Sequence, residues 1–178
     1  AKDLALEVYK LSLQRGAYVR VKTDLPGRAY IFYKYASEDQ IKHFPEVEYF
    51  EIKNTDVYIA IRAPDNVKEL SNIDPKKIAD RYKVLKPILD WRVEKTRWVI
   101  FYYPTNALAQ EAGMSLQEFE DFVFSACLVD WKKMVEDMGR IKEAIDKTDK
   151  VVIESSDTHL EFSVKGRRSV IGDGTKNM

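Results

Sequence analysis

The sequence predicts an α/β fold: a mostly parallel, Rossmann-like three-layer sheet flanked by helices. Two segments, Val57–Ile61 and Trp98–Tyr102, are continuously apolar, as strands covered on both faces are. Helical patterns alternate with such segments along the chain, which favours parallel pairing. The 178 residues are 45% hydrophobic and 33% charged, which suits a soluble domain with a real core, or one domain and part of another.

Taken in order, AKDLALEVYKLSLQRG (1–16) puts Leu4, Val8 and Leu11 on one helical face, and Gly16 suits a stop. Only Asp3 is placed to cap this helix, so preceding residues, including a first strand, are expected to be missing. In AYVRVKTD (17–24), Val19 and Val21 alternate with Arg20 and Lys22, the pattern of a strand with one polar face. DLPGRAY then turns into a helix from Arg28 to about Ala36. Ser37 and Gln40 have capping-box spacing for a short helix toward Phe44. Pro45 ends it, and another short helix runs to about Lys53. DVYIAIRAP (56–64) is the first apolar strand. Asp74 before Pro75 starts a helix toward Glu94, which Pro87 is expected to break or kink.

RWVIFYYPT (97–105) is the second apolar strand. Ser115 and Glu118 form another capping box, followed by the stripe Phe119, Phe122, Val123, Ala126 and Cys127. Asp130 restarts the helix, with Trp131, Met134, Met138, Ile141 and Ile145 toward the core. KVVIES (150–155) reads as a third apolar strand. THLEFSVKGRR alternates, with Leu160, Phe162 and Val164 inward and His159, Glu161 and Ser163 outward. That segment belongs to a sheet covered on one face. A boundary is therefore expected near residue 156, with 1–156 an N-terminal α/β domain and 157–178 the start of a second domain.

The chemistry is mostly defined by exclusion. With 29 basic and 29 acidic residues, nothing in the charge points to nucleic acid or an anionic membrane. No apolar run reaches the roughly 18 residues of a membrane span, and no signal peptide is visible, so the cytoplasm is the default. One cysteine excludes an internal disulfide, and the apolar context FSACLVDW makes Cys127 a buried, inert thiol. His43 and His159 read as surface residues, and HExxH, CxxC and GxSxG motifs are absent. GxGxxG and P-loop motifs are absent too, so the terminal GDG (172–174) reads as a tight turn. Tyr30, Phe32, Tyr33 and Tyr35 crowd one helix on too many sides for it to stand alone, which favours packing or an oligomer contact.

In open α/β sheets, ligands sit beyond the carboxyl ends of the strands. Those loops, Asp24–Arg28, Arg62–Asn66 and Pro104–Asn106, carry Arg28, Arg62, Asn66 and Asn106 as candidate contacts to a ligand or a neighbouring domain. Asp65, Asn66 and Asn106 suit helix caps equally well. The residues alone define no catalytic, cofactor or metal site.

Four stretches together carry a resemblance: LEVYKLSLQRGAY (6–18), DVYIAIRAPDN (56–66), RWVIFYYPTNALAQEAGMSLQEFEDFVFSAC (97–127) and LEFSVKGRRSVIGDGTKNM (160–178). They resemble the aminopeptidase T / aminopeptidase S family, thermophilic-type metallo-aminopeptidases with a two-metal centre. The resemblance spans nearly the whole chain, and YPT followed by AQEAGMS and FEDFVF is its most specific part. It implies an N-terminal α/β domain followed by a catalytic domain, two divalent metal ions (zinc or cobalt), peptide substrates and a homodimer. The matched region is the N-terminal domain. Family members carry an additional strand and loop before the segment matching Leu6–Tyr18. They continue past DGTKNM into a Pro-x-Gly-Glu stretch where the metal ligands begin. On this resemblance no family ligand falls on a residue of this chain, which by itself is expected to hold no metal and to be inactive. Two readings from the residues stand beside it: a stand-alone module binding a nucleotide or small anion through the strand-end loops, and a dimerisation domain.

Overall fold

The computed structural model describes residues 1–172. Its elements are α1 (Lys2–Gln14), α2 (Arg28–Tyr35), α3 (Glu38–Lys42), α4 (Glu46–Lys53), β1 (Val57–Arg62), α5 (Pro75–Lys95), β2 (Arg97–Tyr102), α6 (Asn106–Glu111), α7 (Leu116–Cys127), α8 (Trp131–Asp146), β3 (Lys150–Ser155) and β4 (Thr158–Ser163). The chain divides into two compact units, Ala1–Phe124 and a second from Ser125 onward.

The local signals place the helix ends well. Gly16, at φ +79°, closes α1. Its N–H reaches the Leu13 carbonyl at 2.9 Å and the Ala17 N–H reaches Ser12 at 3.1 Å, the paired bonds of a glycine C-terminal stop. Both capping boxes form. Ser37 N–H donates to Gln40 Oε1 at 2.8 Å while Gln40 N–H donates to Ser37 Oγ at 3.2 Å. Ser115 and Glu118 exchange the same pair at 2.9 and 3.3 Å. Asp74 Oδ1 accepts from Lys76 N–H at 2.9 Å, with Pro75 at the first helical position. Pro87 does not break α5, which continues to Lys95. Pro87 and Lys83, whose carbonyl the proline deprives of its helical donor, are both exposed residues.

The sheet differs from the expectation. β1 and β2 pair in parallel, Val57 opposite Arg97 through Arg62 opposite Tyr102, and this sheet has two strands among the described residues. A mostly parallel three-layer sheet is not seen among the described residues. Residues 17–24 are not a strand: Arg20 and Lys22 both pair with Glu51 of α4, and Tyr18 and Val21 stay exposed. Charge attraction holds this segment where two valines offer little apolar area to dock it on a sheet edge. β1 and β2 are therefore edge strands, and Val57 (52%) and Ile59 (45%) are exposed rather than covered on both faces.

The tightest packing of the first unit lies among its helices. Ile41 on α3, Ile52 on α4 and Ala109 on α6 are buried. α5 packs on α3, α4 and β2. Tyr49 meets Phe44 and Trp91 edge-on, with centroids 5.4 and 6.3 Å apart. Arg81 Nη1 donates to the carbonyls of Ile41 (3.2 Å) and His43 (2.6 Å), and Lys77 Nζ to that of Tyr33 (3.2 Å). These cations satisfy carbonyls at the ends of α2 and α3. Phe32 and Tyr33 are half-buried and in edge contact, as the crowding of aromatics suggested. Phe124 of α7 stacks on Phe101 of β2, centroids 6.4 Å apart.

In the second unit, Asp130 caps α8 by accepting from Lys133 N–H at 3.1 Å. β3 and β4 form an antiparallel hairpin, Ile153 opposite Leu160 and Val151 opposite Phe162. β3 thus does not join a parallel sheet. Only Ser156 and Asp157 separate it from β4, and such a short turn closes at far less entropic cost than a crossover. The boundary expected near residue 156 would fall in this turn. The polar face carries His159 against Glu154 and Lys150 against Glu161. Ser169 N–H donates to Asp146 Oδ1 at 3.0 Å, and Lys142 Nζ to the Ser169 carbonyl at 2.8 Å, so the chain after β4 is tied to α8. Lys142 and then Ser169 hold the Asp146 carboxyl well below the usual carboxylate range.

Cys127 is exposed, not buried, at the last residue of α7. Met134, Ile141 and Ile145, expected toward the core, are exposed as well. A unit this small has too little chain to cover an entire helical stripe. The expected turn at 172–174 lies almost entirely outside the described residues.

Because the buried aliphatic side chains sit on the helices, Ile41→Ala is expected to cost about 2–5 kcal/mol, as a fully buried truncation does. Ile59→Ala on half-exposed β1 is expected to cost less than about 1 kcal/mol. Urea denaturation of the two variants checks the order; a larger loss at Ile59 would place the core at the sheet.

Candidate functional site

Parallel pairing brings the carboxyl ends of β1 and β2 together, and Arg62 and Tyr102 are register partners there. Arg62 Nη1 donates to the Tyr102 hydroxyl at 2.8 Å, and its guanidinium carbon lies 5.5 Å from the centre of the same ring. The ladder runs one step further, with Tyr103 N–H donating to the Arg62 carbonyl at 2.7 Å. Thr105 then ties the two strand-end loops: its hydroxyl donates to the Pro64 carbonyl at 2.7 Å and accepts from Leu108 N–H at 3.3 Å, which starts α6. Lys68 and Glu111 add an ion pair at 3.1 Å.

Three of the four expected residues, Arg62, Asn66 and Asn106, lie on these joined loops. Asn66 Oδ1 accepts from Lys68 N–H at 2.9 Å, a local turn contact. Asn106 is the first residue of α6, and the cap itself is Thr105. Arg28 is the first residue of α2 and reaches back to Asp24 on the preceding turn, with Nη2 to Oδ2 at 3.2 Å and a closer contact from Nε. Its hydrogen bond holds the Asp24 carboxyl below the usual carboxylate range against the opposing effect of burial. That turn approaches the loop after β1: a side chain at Gly27 would begin 3.8 Å from Glu69 Oε1.

The sequence reading missed a cavity of about 330 Å³ beside Arg62, walled by α5 through Tyr82, Leu89, Val93, Asp90, Glu94 and Arg92. The guanidinium carbon of Arg92 lies 5.2 Å from the centre of the Tyr58 ring, and Arg92 Nε is buried with no hydrogen-bond partner. Asp90 accepts from Lys86 Nζ at 2.6 and 2.7 Å. The signal available in the sequence was the helical spacing of Tyr82, Leu89 and Val93, which sets three apolar side chains on one face of α5.

Among the described residues, no group of three or more His, Cys, Asp or Glu side chains is placed to hold a metal ion. His159 reaches Glu154 at 3.2 Å, and His43 is exposed at the end of α3. A family model of thermophilic metalloproteases matches residues 1–178. The chain belongs to the thermophilic metalloprotease family. The resemblance to aminopeptidases T and S read in the sequence is thereby supported over the whole chain. Neither a curated protein nor a solved structure matches this metalloprotease chain. Membership implies peptide substrates and divalent metal for the family. The donor set of the described residues does not fit such a centre, so no step of metal chemistry is assigned to them. No helix among them is long and apolar enough to cross a membrane.

The Asp24–Arg28 pair is largely exposed, so Asp24→Asn is expected to cost less than about 1 kcal/mol at neutral pH. Because the folded state depresses the Asp24 titration, this contribution is present above the unfolded carboxylate pKa. It is lost as pH falls through the lower, folded value. Parallel denaturation series on wild type and Asp24→Asn should therefore converge in acid; a gap that persists or widens in acid would contradict the pairing.

Proposed function

We propose that this chain is the N-terminal α/β part of a metal-dependent aminopeptidase that removes N-terminal residues from peptides. The family match across residues 1–178 carries the reading. The metal chemistry is assigned to another part of the parent protein. There, two divalent ions, zinc or cobalt, would activate a water and polarise the scissile carbonyl, the general two-metal logic. Residues 157–178 would lead into that catalytic domain, and Arg62, Asn66 and Asn106 would face a ligand or the neighbouring domain. The parent would act as a homodimer in the cytoplasm. Exposed apolar side chains such as Leu25, Val47 and Phe50 support a subunit or interdomain contact.

The test compares the 178-residue chain with the product of the full open reading frame on aminoacyl chromogenic substrates, with added zinc or cobalt. Metal-dependent turnover is expected from the full product and none from the 178-residue chain. Comparable turnover by the shorter chain, or an open reading frame that ends at Met178, would overturn the assignment.

A further inference from the structure

The hairpin of the second unit carries an open edge on β3. Val164 N–H donates to the Asp149 carbonyl at 2.9 Å, which fixes the phase of the β3–β4 ladder. Hydrogen-bonded positions alternate in an antiparallel pair, so Val151, Ile153 and Ser155 turn their backbone groups toward β4. Lys150, Val152 and Glu154 turn theirs away, and no strand among the described residues pairs with them. Two strands alone are marginal in water; a further strand or a packed helix is needed for independent stability. Val151, Ile153, Leu160 and Phe162 share the apolar face of this hairpin, and Ile153 and Leu160 are each 49% exposed.

The open edge reads KVVIE (150–154), and that order is complementary to its own reverse. Laid antiparallel on a second copy with Val152 on the two-fold axis, Lys150 falls opposite Glu154 twice and Val151 opposite Ile153 twice. The other registers lose this match. An axis at Lys150 or Glu154 sets like charges opposite each other. An axis at Val151 or Ile153 sets each charge opposite an apolar or neutral residue. An axis between two residues would oppose an outward-turned backbone to an inward-turned one. Both charges already lean on β4, Lys150 on Glu161 at 3.1 Å and Glu154 on His159 at 3.2 Å. The new pairs therefore continue rows of alternating groups, with Glu154 between His159 and the partner's Lys150. The outer edge of β4 presents His159, Glu161 and Ser163, with no lysine or arginine to meet a carboxylate.

We propose that β3 associates edge to edge with β3 of a second copy of this chain through residues 150–154, forming a four-stranded antiparallel sheet with one continuous apolar face. The contact is isologous and closes after two copies. It does not rest on the peptidase reading, because it lies wholly within the second unit and uses neither metal nor substrate. It gives the homodimer of that reading one specific contact, and its failure leaves the peptidase assignment untouched.

Sedimentation of the 178-residue chain tests it, with Cys127→Ser as the parent of every variant. The parent is expected to form concentration-dependent dimers below about 1 mM. Lys150→Glu and Glu154→Lys should each weaken self-association at least tenfold, because each sets like charges opposite one another twice. An equimolar mixture of the two should regain the parent's affinity, since each chain then meets the opposite charge at both positions. Val152→Cys should form an intermolecular disulfide under mild oxidation, its two Cα atoms lying about 5.5 Å apart on the axis. Ser155→Cys should not, because its two copies lie about 20 Å apart along the strand. A parent that stays monomeric at about 1 mM, a charge variant that dimerises as tightly as the parent, or a mixture no tighter than its components would each overturn the proposal. So would a Val152→Cys chain that cross-links no better than Ser155→Cys. Dimers linked through Leu160→Cys but not Val152→Cys would overturn it in favour of the β4 edge.

Discussion

Two parallel strands cannot be joined by a turn, because the chain must travel back to the starting end before the second strand begins. In the first unit that return is α5, and most of what surrounds it is fixed by the requirement. α5 is the element that meets α3, α4 and β2. Arg81 reaches the carbonyls of Ile41 and His43, Lys77 that of Tyr33, and Trp91 packs on Tyr49. Arg92 covers Tyr58 of β1. The crossover helix thus binds helices on one side through cations on free carbonyls, and the strand pair on the other through aromatic and guanidinium contacts. The cavity follows from the same geometry, since it opens where the α5 side chains pass beside Arg62 at the end of β1.

The second unit obeys a different constraint. Its strands are neighbours in sequence, and a two-residue turn makes their antiparallel pairing the cheapest available. What the hairpin lacks is cover: Ile153, Leu160 and Phe162 share one face and remain exposed. The ties that do form are polar, through Lys142, Asp146 and Ser169.

Helix ends were legible because each depends on a few adjacent residues. Gly16, the Ser37 and Ser115 boxes, Asp74 and Asp130 all act as read. The strands β1 and β2 and their parallel pairing were also legible, from apolar runs and the intervening helix. Their burial was not, since a run such as Val57–Ile61 records an affinity for cover but not whether cover is present. The 17–24 segment shows the reverse failure: its alternation is real, but Arg20 and Lys22 are held by Glu51, a partner far off in sequence. The candidate site was half legible. Arg62, Asn66 and Asn106 follow from the strand-end rule, whereas Arg92 and Glu94 become visible only once α5 is laid beside β1. Cys127 misled because an apolar neighbourhood in sequence is not a buried one in space.

On the function proposed above, this chain would supply an α/β body organised by α5, and the metal chemistry would lie elsewhere in the parent. Metal stoichiometry tests that division most directly. Titration calorimetry of the 178-residue chain with zinc and with cobalt, beside the full open reading frame product, should show substoichiometric, weak uptake by the shorter chain and two ions per chain in the longer one. Two tightly held ions in the 178-residue chain would contradict that proposal, because they would place the catalytic centre within residues 1–178.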